Sequence, residues 1–275
     1  MSVNILQPEM YRIMSKKREA ENSFTFELQS LEQKPVKFSP GQFNMLYAFG
    51  IGEVPISFSG DPTIQNSIVH TIKAVGKVTQ ALSRMEEGEL MGVRGPFGNS
   101  WPITKLRNKD LIIIAGGIGL APLRPLIYYL LHHRKEFGKI SILYGARDPL
   151  DLIFYDELET WSKEFDDQVM ITVDFADESW SGHVGVVTNL ISEIPFSLKD
   201  SVALLCGPEL MLRFTIRELL QKNIAMKDIY LSMERNMKCA IGHCGRCQYV
   251  QNFLCKDGPV FSYSRVEPFF NKKEV

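Results

Sequence analysis

A small antiparallel β-barrel, then an α/β domain built on a parallel sheet, then a short metal-binding module at the carboxyl end: three features of the chain predict this architecture. The first hundred residues break into short β-rich runs separated by Gly, Pro and Asp. From Leu111 onward, continuous Ile/Val/Leu runs alternate with helical stretches. Four of the five cysteines crowd into the last forty or so residues, as Cys239, Cys244, Cys247 and Cys255.

The β-rich runs are Tyr11–Ser15, Ser23–Leu28, Gln42–Tyr47, Val54–Ser59 and Ser67–Val75, punctuated by Pro40-Gly41, Gly50, Gly52, Gly60-Asp61-Pro62 and Gly76. Several short strands at close spacing fit a barrel or sandwich. One helix is expected here, opening at Thr79 as N-cap. The stretch from Arg94 to Asn99, RGPFGN, reads as a turn. The pattern changes near Trp101–Asp110. Beyond it LIIIAGG, KISILYGA, VMITVDFA and VALLCGP read as strands, with helices between them and a last strand at Asp228–Leu231. Strands apolar along their whole length are buried on both faces, which implies a parallel sheet covered by helices. The expected units are residues 1–103, 104–231 and 232–275.

Composition narrows the function. With 45% hydrophobic and 23% charged residues the chain is globular, and 275 residues bury roughly 75% of the unfolded surface without metal or disulfide staples. Lys and Arg total 31 against 32 Asp and Glu, so no basic surface for nucleic acid or anionic lipid is expected. No apolar run is long enough to span a bilayer, and the start lacks the apolar core of a signal peptide. Clustered cysteines suit a reducing compartment, so the cytoplasm is expected.

The cysteine spacing is C-x4-C-x2-C-x7-C. Plant-type [2Fe–2S] proteins use the opening C-x4-C-x2-C with a more distant fourth Cys. Gly242 and Gly245 suit a loop that turns tightly and aims N–H groups at sulfur. A structural zinc site is the alternative, although such sites more often carry two C-x2-C pairs. His243 reads as a solvated loop residue.

Gly116, Gly117 and Gly119 sit in a turn between strand and helix that either lets backbone amides approach a pyrophosphate or is a tight turn without ligand; Pro122 suits the first helical turn. Two more strand ends point to the same edge: Tyr144 to Arg147, and Cys206, Gly207 and Pro208. Arg147 is either a ribose-phosphate clamp or a solvated arginine. Cys206 is either a site residue or an inert buried thiol. In the first module, Ser57 after Pro55 either aims a hydroxyl at a ring nitrogen or is an ordinary barrel-strand residue. Gly76, Val78 and Thr79 either offer amides and a hydroxyl to a phosphate or simply open a capped helix.

Together EVPISFSG, AVGKVTQAL, RGPFGNSWP, GGIGLAP, CGPELM, MERNMKCAIGHCGRC and CKDGPVFSY resemble the ferredoxin–NADP reductase superfamily along essentially the whole chain. The resemblance is to its electron-transfer subunits with a C-terminal [2Fe–2S] tail. These are the gamma subunits of cytoplasmic NiFe hydrogenases (sulfhydrogenases) and the electron-transfer subunits of anaerobic sulfite reductase and of dihydroorotate dehydrogenase.

The resemblance implies an NAD(P)H-dependent oxidoreductase carrying FAD, with FMN second, and a [2Fe–2S] cluster. Pro55, Ile56, Ser57 and Phe58 would lie against the flavin ring. Gly76, Lys77, Val78 and Thr79 would hold flavin phosphate. Gly116, Gly117, Gly119 and Pro122 would hold the dinucleotide pyrophosphate, with Cys206, Gly207 and Pro208 near the nicotinamide. Ser57 and Cys206 would be the catalytic contacts, and the four tail cysteines the iron ligands. The family's Arg-x-Tyr-Ser/Thr flavin motif is changed: Val54 and Ile56 stand at the Arg and Tyr positions. The expected partners are the iron–sulfur and catalytic subunits of a multi-subunit oxidoreductase, a hydrogenase first. A zinc-stapled nucleotide-binding regulator is the rival of a different class.

Overall fold

A computed structural model describes residues 5–166, 168–270 and 272. Six antiparallel strands form the first module: β1 Glu9–Ala20, β2 Ser23–Ser30, β3 Phe43–Ala48, β4 Gly52–Ser57, β5 Ile68–Lys73 and β6 Leu90–Phe97. Their order is β4-β3-β6-β1-β2-β5, and a bridge between Phe58 and His70 joins the two outer strands and closes the barrel. Strand β2 alternates buried and less buried residues, putting Phe26 and Leu28 in the core with Ile13, Leu46 and Met91. The helix α1, Lys77–Ser83, lies between β5 and β6.

Two expectations change here. RGPFGN is not merely a turn: Arg94 to Phe97 complete β6, which the density of Gly and Pro hid. Helix α1 is capped at Gly76, and Thr79 is its third residue. The Thr79 hydroxyl accepts from the Gly76 N–H at 3.0 Å and the Val75 N–H at 3.2 Å.

A short helix, α2 Ile103–Leu106, leads to the second sheet. Its strands are β7 Leu111–Gly116, β8 Ile140–Ala146, β9 Val169–Val173, β10 His183–Val184, β11 Val202–Cys206 and β12 Ile229–Ser232. Helices α3 Leu120–His132, α4 Tyr155–Glu164 and α5 Glu209–Gln221 connect them. The pairings β10-β9-β8-β7-β11-β12 are all parallel. Every residue of β7 and of β11 is buried, as expected for central parallel strands.

The carboxyl-terminal segment contributes β13 Gln248–Tyr249, β14 Asn252–Phe253, α6 Leu254–Asp257, β15 Val260–Ser262 and α7 Tyr263–Phe270. Strand β15 falls outside the expected pattern. It pairs antiparallel with β12, Ser232 opposite Val260, and so adds a seventh strand to the sheet. Among the described residues no helix is long and apolar enough to cross a membrane. Barrel and sheet are stapled together by the Arg124 guanidinium on α3. It donates to the Ser59 carbonyl at 2.8 Å, pairs with Glu157 through Nε at 2.9 Å, and stacks over the Phe154 ring.

Candidate functional site

The carboxyl ends of the parallel strands face the open end of the barrel, and cavities fill the seam. The first, about 590 Å³, is lined from the barrel by Pro55, Ile56 and Ser57 on β4, by Thr71 and Lys73 on β5, and by Val75 and Thr79. Ile118, Ala121 and Pro122 close it from the sheet, and Met233 to Met237 from the segment after β12. Of the residues expected around a flavin, Phe58 is not in this wall. Ser57 lines the cavity, while Phe58, the residue after β4, points into the barrel. It is fully buried there and stacks on Phe38 with ring centroids 3.9 Å apart. Gly76, Lys77 and Val78 lie at the start of α1, beside the wall that Val75 and Thr79 form.

Behind Ser57 stands a buried polar relay. His70 on β5 has no exposed surface, and its Nδ1 lies 2.9 Å from the Ser57 carbonyl oxygen. A carbonyl only accepts, so Nδ1 carries the proton and Nε2 accepts from Asn44 Nδ2 at 3.1 Å. Burial pushes the imidazole down to about 4, against two backbone hydrogen bonds, to Ser57 and Ile56, that push it up.

Gly116, Gly117 and Gly119 turn from β7 into α3 through one tight 3-10 turn. They share a cavity of about 730 Å³ with Gly207, Pro208, Lys73, Glu234 and Arg235. Gly117 is left-handed, with φ of 52°, and a Cβ there would meet no protein atom. The space beyond it is open for a ligand. Gly119 is the reverse case: a Cβ would lie 2.4 Å from the Cys206 carbonyl oxygen, so glycine is required by close approach of β11.

A neighbouring cavity of about 610 Å³ holds Arg147 after β8, together with Asp151, Asp174 and Pro208. Cys206 is buried in the core, and its thiol is hydrogen-bonded to the Ser232 hydroxyl. Burial raises that thiol far above its ordinary value, with the Glu234 carboxylate adding to the effect. Gly207 and Pro208 line these cavities, and Cys206 is not among their lining residues.

Sequence reasoning missed Lys73 and the segment Met233–Met237. Lys73 lines all three cavities and supplies a cation where Val54 does not. The signal available was position: Lys73 ends the barrel strand β5, and Met233–Met237 follow β12, beyond whose carboxyl end an open α/β fold binds ligands. Desolvation raises the Glu234 carboxyl above its usual range, and the Arg235 guanidinium lies 5.4 Å from the Tyr249 ring centre.

The same segment runs on into the cysteine loop. All four cysteines are free thiols there; Cys247 and Cys255 are buried, Cys239 half-buried and Cys244 exposed. Cys239 interacts with Cys244, and Cys247 with Cys255. Among the described residues no three His, Cys, Asp or Glu side chains converge as on a single metal ion. The N–H of Gly242 donates to Cys255 Sγ at 3.1 Å, and those of His243 and Cys244 donate to Cys239 Sγ, each at 3.3 Å. Gly242 and Gly245 are left-handed, at φ of 73° and 76°, which aims these amides inward. Burial raises the Cys239 thiol, but donors from Ile241, Cys244 and His243 outweigh it and bring it down to about 6. Burial and the Cys247 neighbour push Cys255 up to about 12.

A barrel joined to a parallel sheet by a ligand-sized seam, with thiols at its edge, defines a pyridine-nucleotide-linked reductase of the ferredoxin–NADP reductase type. Comparison with known proteins carries this to a family. Residues 113–217 match the oxidoreductase NAD-binding domain, and residues 234–267 match the iron–sulfur cluster binding domain of dihydroorotate dehydrogenase B. The chain is 37% identical over 242 residues to sulfhydrogenase 2 subunit gamma of Pyrococcus furiosus, covering 82% of this chain and 83% of that one. It is also 37% identical over 229 residues to a probable dihydroorotate dehydrogenase B (NAD(+)) electron transfer subunit of Archaeoglobus fulgidus, covering 82% and 87%. A chain of the NADH-dependent reduced ferredoxin–NADP oxidoreductase superposes with a TM-score of 0.75 at 26% identity, covering 100% of this chain and 96% of that one. The chain belongs to the family of sulfhydrogenase gamma and dihydroorotate dehydrogenase B electron-transfer subunits. It is an NAD(P)H-linked flavin and iron–sulfur electron-transfer oxidoreductase.

Proposed function

We propose that this chain relays electrons between NAD(P)H and a catalytic partner subunit, with the flavin in the 590 Å³ cavity and the iron–sulfur cluster on Cys239, Cys244, Cys247 and Cys255. The observation that carries the reading is the segment Met233–Met237. It forms one wall of the cavity that Ser57 faces and leads within two residues to Cys239. One stretch of backbone therefore touches both candidate cofactor sites.

The residues fit their groups. Four free thiols, three inward backbone N–H bonds to sulfur and two left-handed glycines are the donor set of a thiolate-held cluster. The open space at Gly117 fits a pyrophosphate, and Lys73 and Arg235 offer positive charge to flavin phosphates. When bound, a flavin couples two-electron hydride chemistry to single-electron carriers. The protein's part is to position and to exclude water. Ser57 presents its face of β4 with its carbonyl tied by His70, and Gly119 lets β11 close against the glycine turn. Exposed Cys244, two residues before Arg246, marks the side on which a partner would take electrons.

A cytoplasmic hydrogenase is the first choice of partner, supported by the sulfhydrogenase gamma relatives. Sulfite reductase and dihydroorotate dehydrogenase follow, the latter favoured by relatives such as that of Archaeoglobus fulgidus. The functional units proposed are residues 1–103, 104–231 and 232–275, with β15 of the last lying in the sheet of the second. Anaerobic purification with assay of flavin, iron and acid-labile sulfide tests the reading. One flavin, two irons and two sulfides per chain are expected. Zinc without iron would overturn it and support the regulator instead. Affinity capture from the host then identifies the partner, and hydrogenase subunits are the expected result.

A further inference from the structure

We infer that Arg94 and Asn99, at the end of β6, are positioning residues that pin the cysteine loop at both ends against the barrel. The inference rests on the relay reading above and names the groups that set its geometry. RGPFGN contains no residue of the cavities along the seam, yet it makes the densest polar contacts between barrel and tail.

Arg94 holds the entry of the loop. Its side chain is 3% exposed, and its Nε and Nη2 donate to the two carboxylate oxygens of Glu53 at 2.9 and 2.8 Å. With the fork fixed in that way, Nη2 also donates to the Lys238 carbonyl at 3.0 Å and Nη1 to the Cys239 carbonyl at 3.2 Å. The backbone of the first iron-ligand candidate therefore hangs from a buried guanidinium whose orientation β4 dictates. Lysine has no planar fork and cannot serve these acceptors together.

Asn99 holds the exit. Its Nδ2 donates to the Asp257 carbonyl at 3.0 Å and the Val260 carbonyl at 2.8 Å, while its Oδ1 accepts from the Val260 N–H at 3.0 Å. The Asn99 N–H donates to the Gly258 carbonyl at 2.6 Å. Gly98 brings the chains this close: at φ of 78°, a Cβ would lie 2.8 Å from Pro259. The two pins bracket Cys239 and Cys255, so together they fix where the loop sits relative to the cavity faced by Ser57.

The test compares Arg94→Gln, Arg94→Lys, Asn99→Ala, the Arg94/Asn99 double variant and wild type by hydrogen exchange, in the full chain with and without its metal. Removing a charged buried donor predicts roughly tenfold or greater acceleration of amide exchange at Gly242, His243 and Cys244, because hydrogen bonds to charged groups are the stronger ones. Arg94→Lys restores little, and β1–β2 amides keep their protection. Glu53→Gln weakens the same pin without touching the loop and gives a smaller acceleration, which covers the case that Arg94→Gln does not fold. In metal-loaded protein the variants lose iron to a chelator several-fold faster. Unchanged loop exchange and unchanged iron retention in the single and double variants would overturn the inference. Wild-type chain without iron would overturn the relay reading alone, since the metal-free exchange experiment still reads the pins.

Discussion

Replacing His70 by glutamine should remove a specific acid sensitivity of the fold. The imidazole sits at about 4 in the folded chain against an ordinary 6.5, because it is fully buried and neutral between the Ser57 carbonyl and the Asn44 amide. Between those two values the unfolded chain binds a proton that the folded chain refuses, so stability falls as pH falls through the window. Integrating over that window from about pH 7 to about pH 5 gives a loss of roughly 2 kcal/mol from this residue. Glutamine has no such proton. It can donate to the Ser57 carbonyl and accept from Asn44, at a cost of about 1 kcal/mol at neutral pH from imperfect geometry. The assay is urea unfolding of both proteins at several pH values, monitored by far-ultraviolet dichroism. Other ionising groups contribute to both curves and cancel in the difference. The variant should be less stable than wild type at neutral pH and should close or reverse that gap by about pH 5. Parallel curves would refute the assignment of a neutral, buried His70 and with it the argument that Ser57 is held from behind.

Further outcomes follow from the strand ends and thiols. Gly119→Ala should destabilise by about 1–3 kcal/mol in denaturant melts and weaken NAD(P)H oxidation, because the added methyl meets backbone of β11 that cannot move aside. Cys255→Ser should lower iron and sulfide content by at least half, whereas Cys206→Ser should leave both unchanged, since Cys206 lies in the core away from the loop. Arg147→Ala should lower kcat/KM for NADPH about tenfold with a smaller effect on NADH, while Asp174→Ser should raise NADPH use by relieving like-charge repulsion. Steady-state kinetics with both nucleotides decides, and an unchanged preference in both variants removes the phosphate argument.

Much of this was legible in the sequence for physical reasons. Strands such as β7 and β11 are apolar at every position because both faces are covered, so they announce themselves without periodicity. The cysteine spacing and the glycine turn are local patterns, and local patterns survive in one dimension. What stayed hidden depends on pairing across the chain. Strand β15 is three residues long and exists only because β12 offers an edge. Phe58 and Ser57 are neighbours in sequence, but barrel closure at His70 decides which of them faces the cavity. Arg94 reads as part of a turn because its partners, Glu53 and Cys239, are distant in sequence.

The pairing of Ser232 with Val260 decides the topology of the thiol-bearing stretch. Residues 233–259 leave the sheet and return to adjacent positions on it, so the thiol-bearing stretch is a closed excursion and not a trailing end. The sheet has already met the entropy of joining its ends. Both of its ends are held by the hydrogen-bonded strands β12 and β15. Its middle packs back on the domain, since Met237, Cys247, Tyr249 and Leu254 share one apolar cluster with Ile112 and Ile114 of β7 and Leu205 of β11.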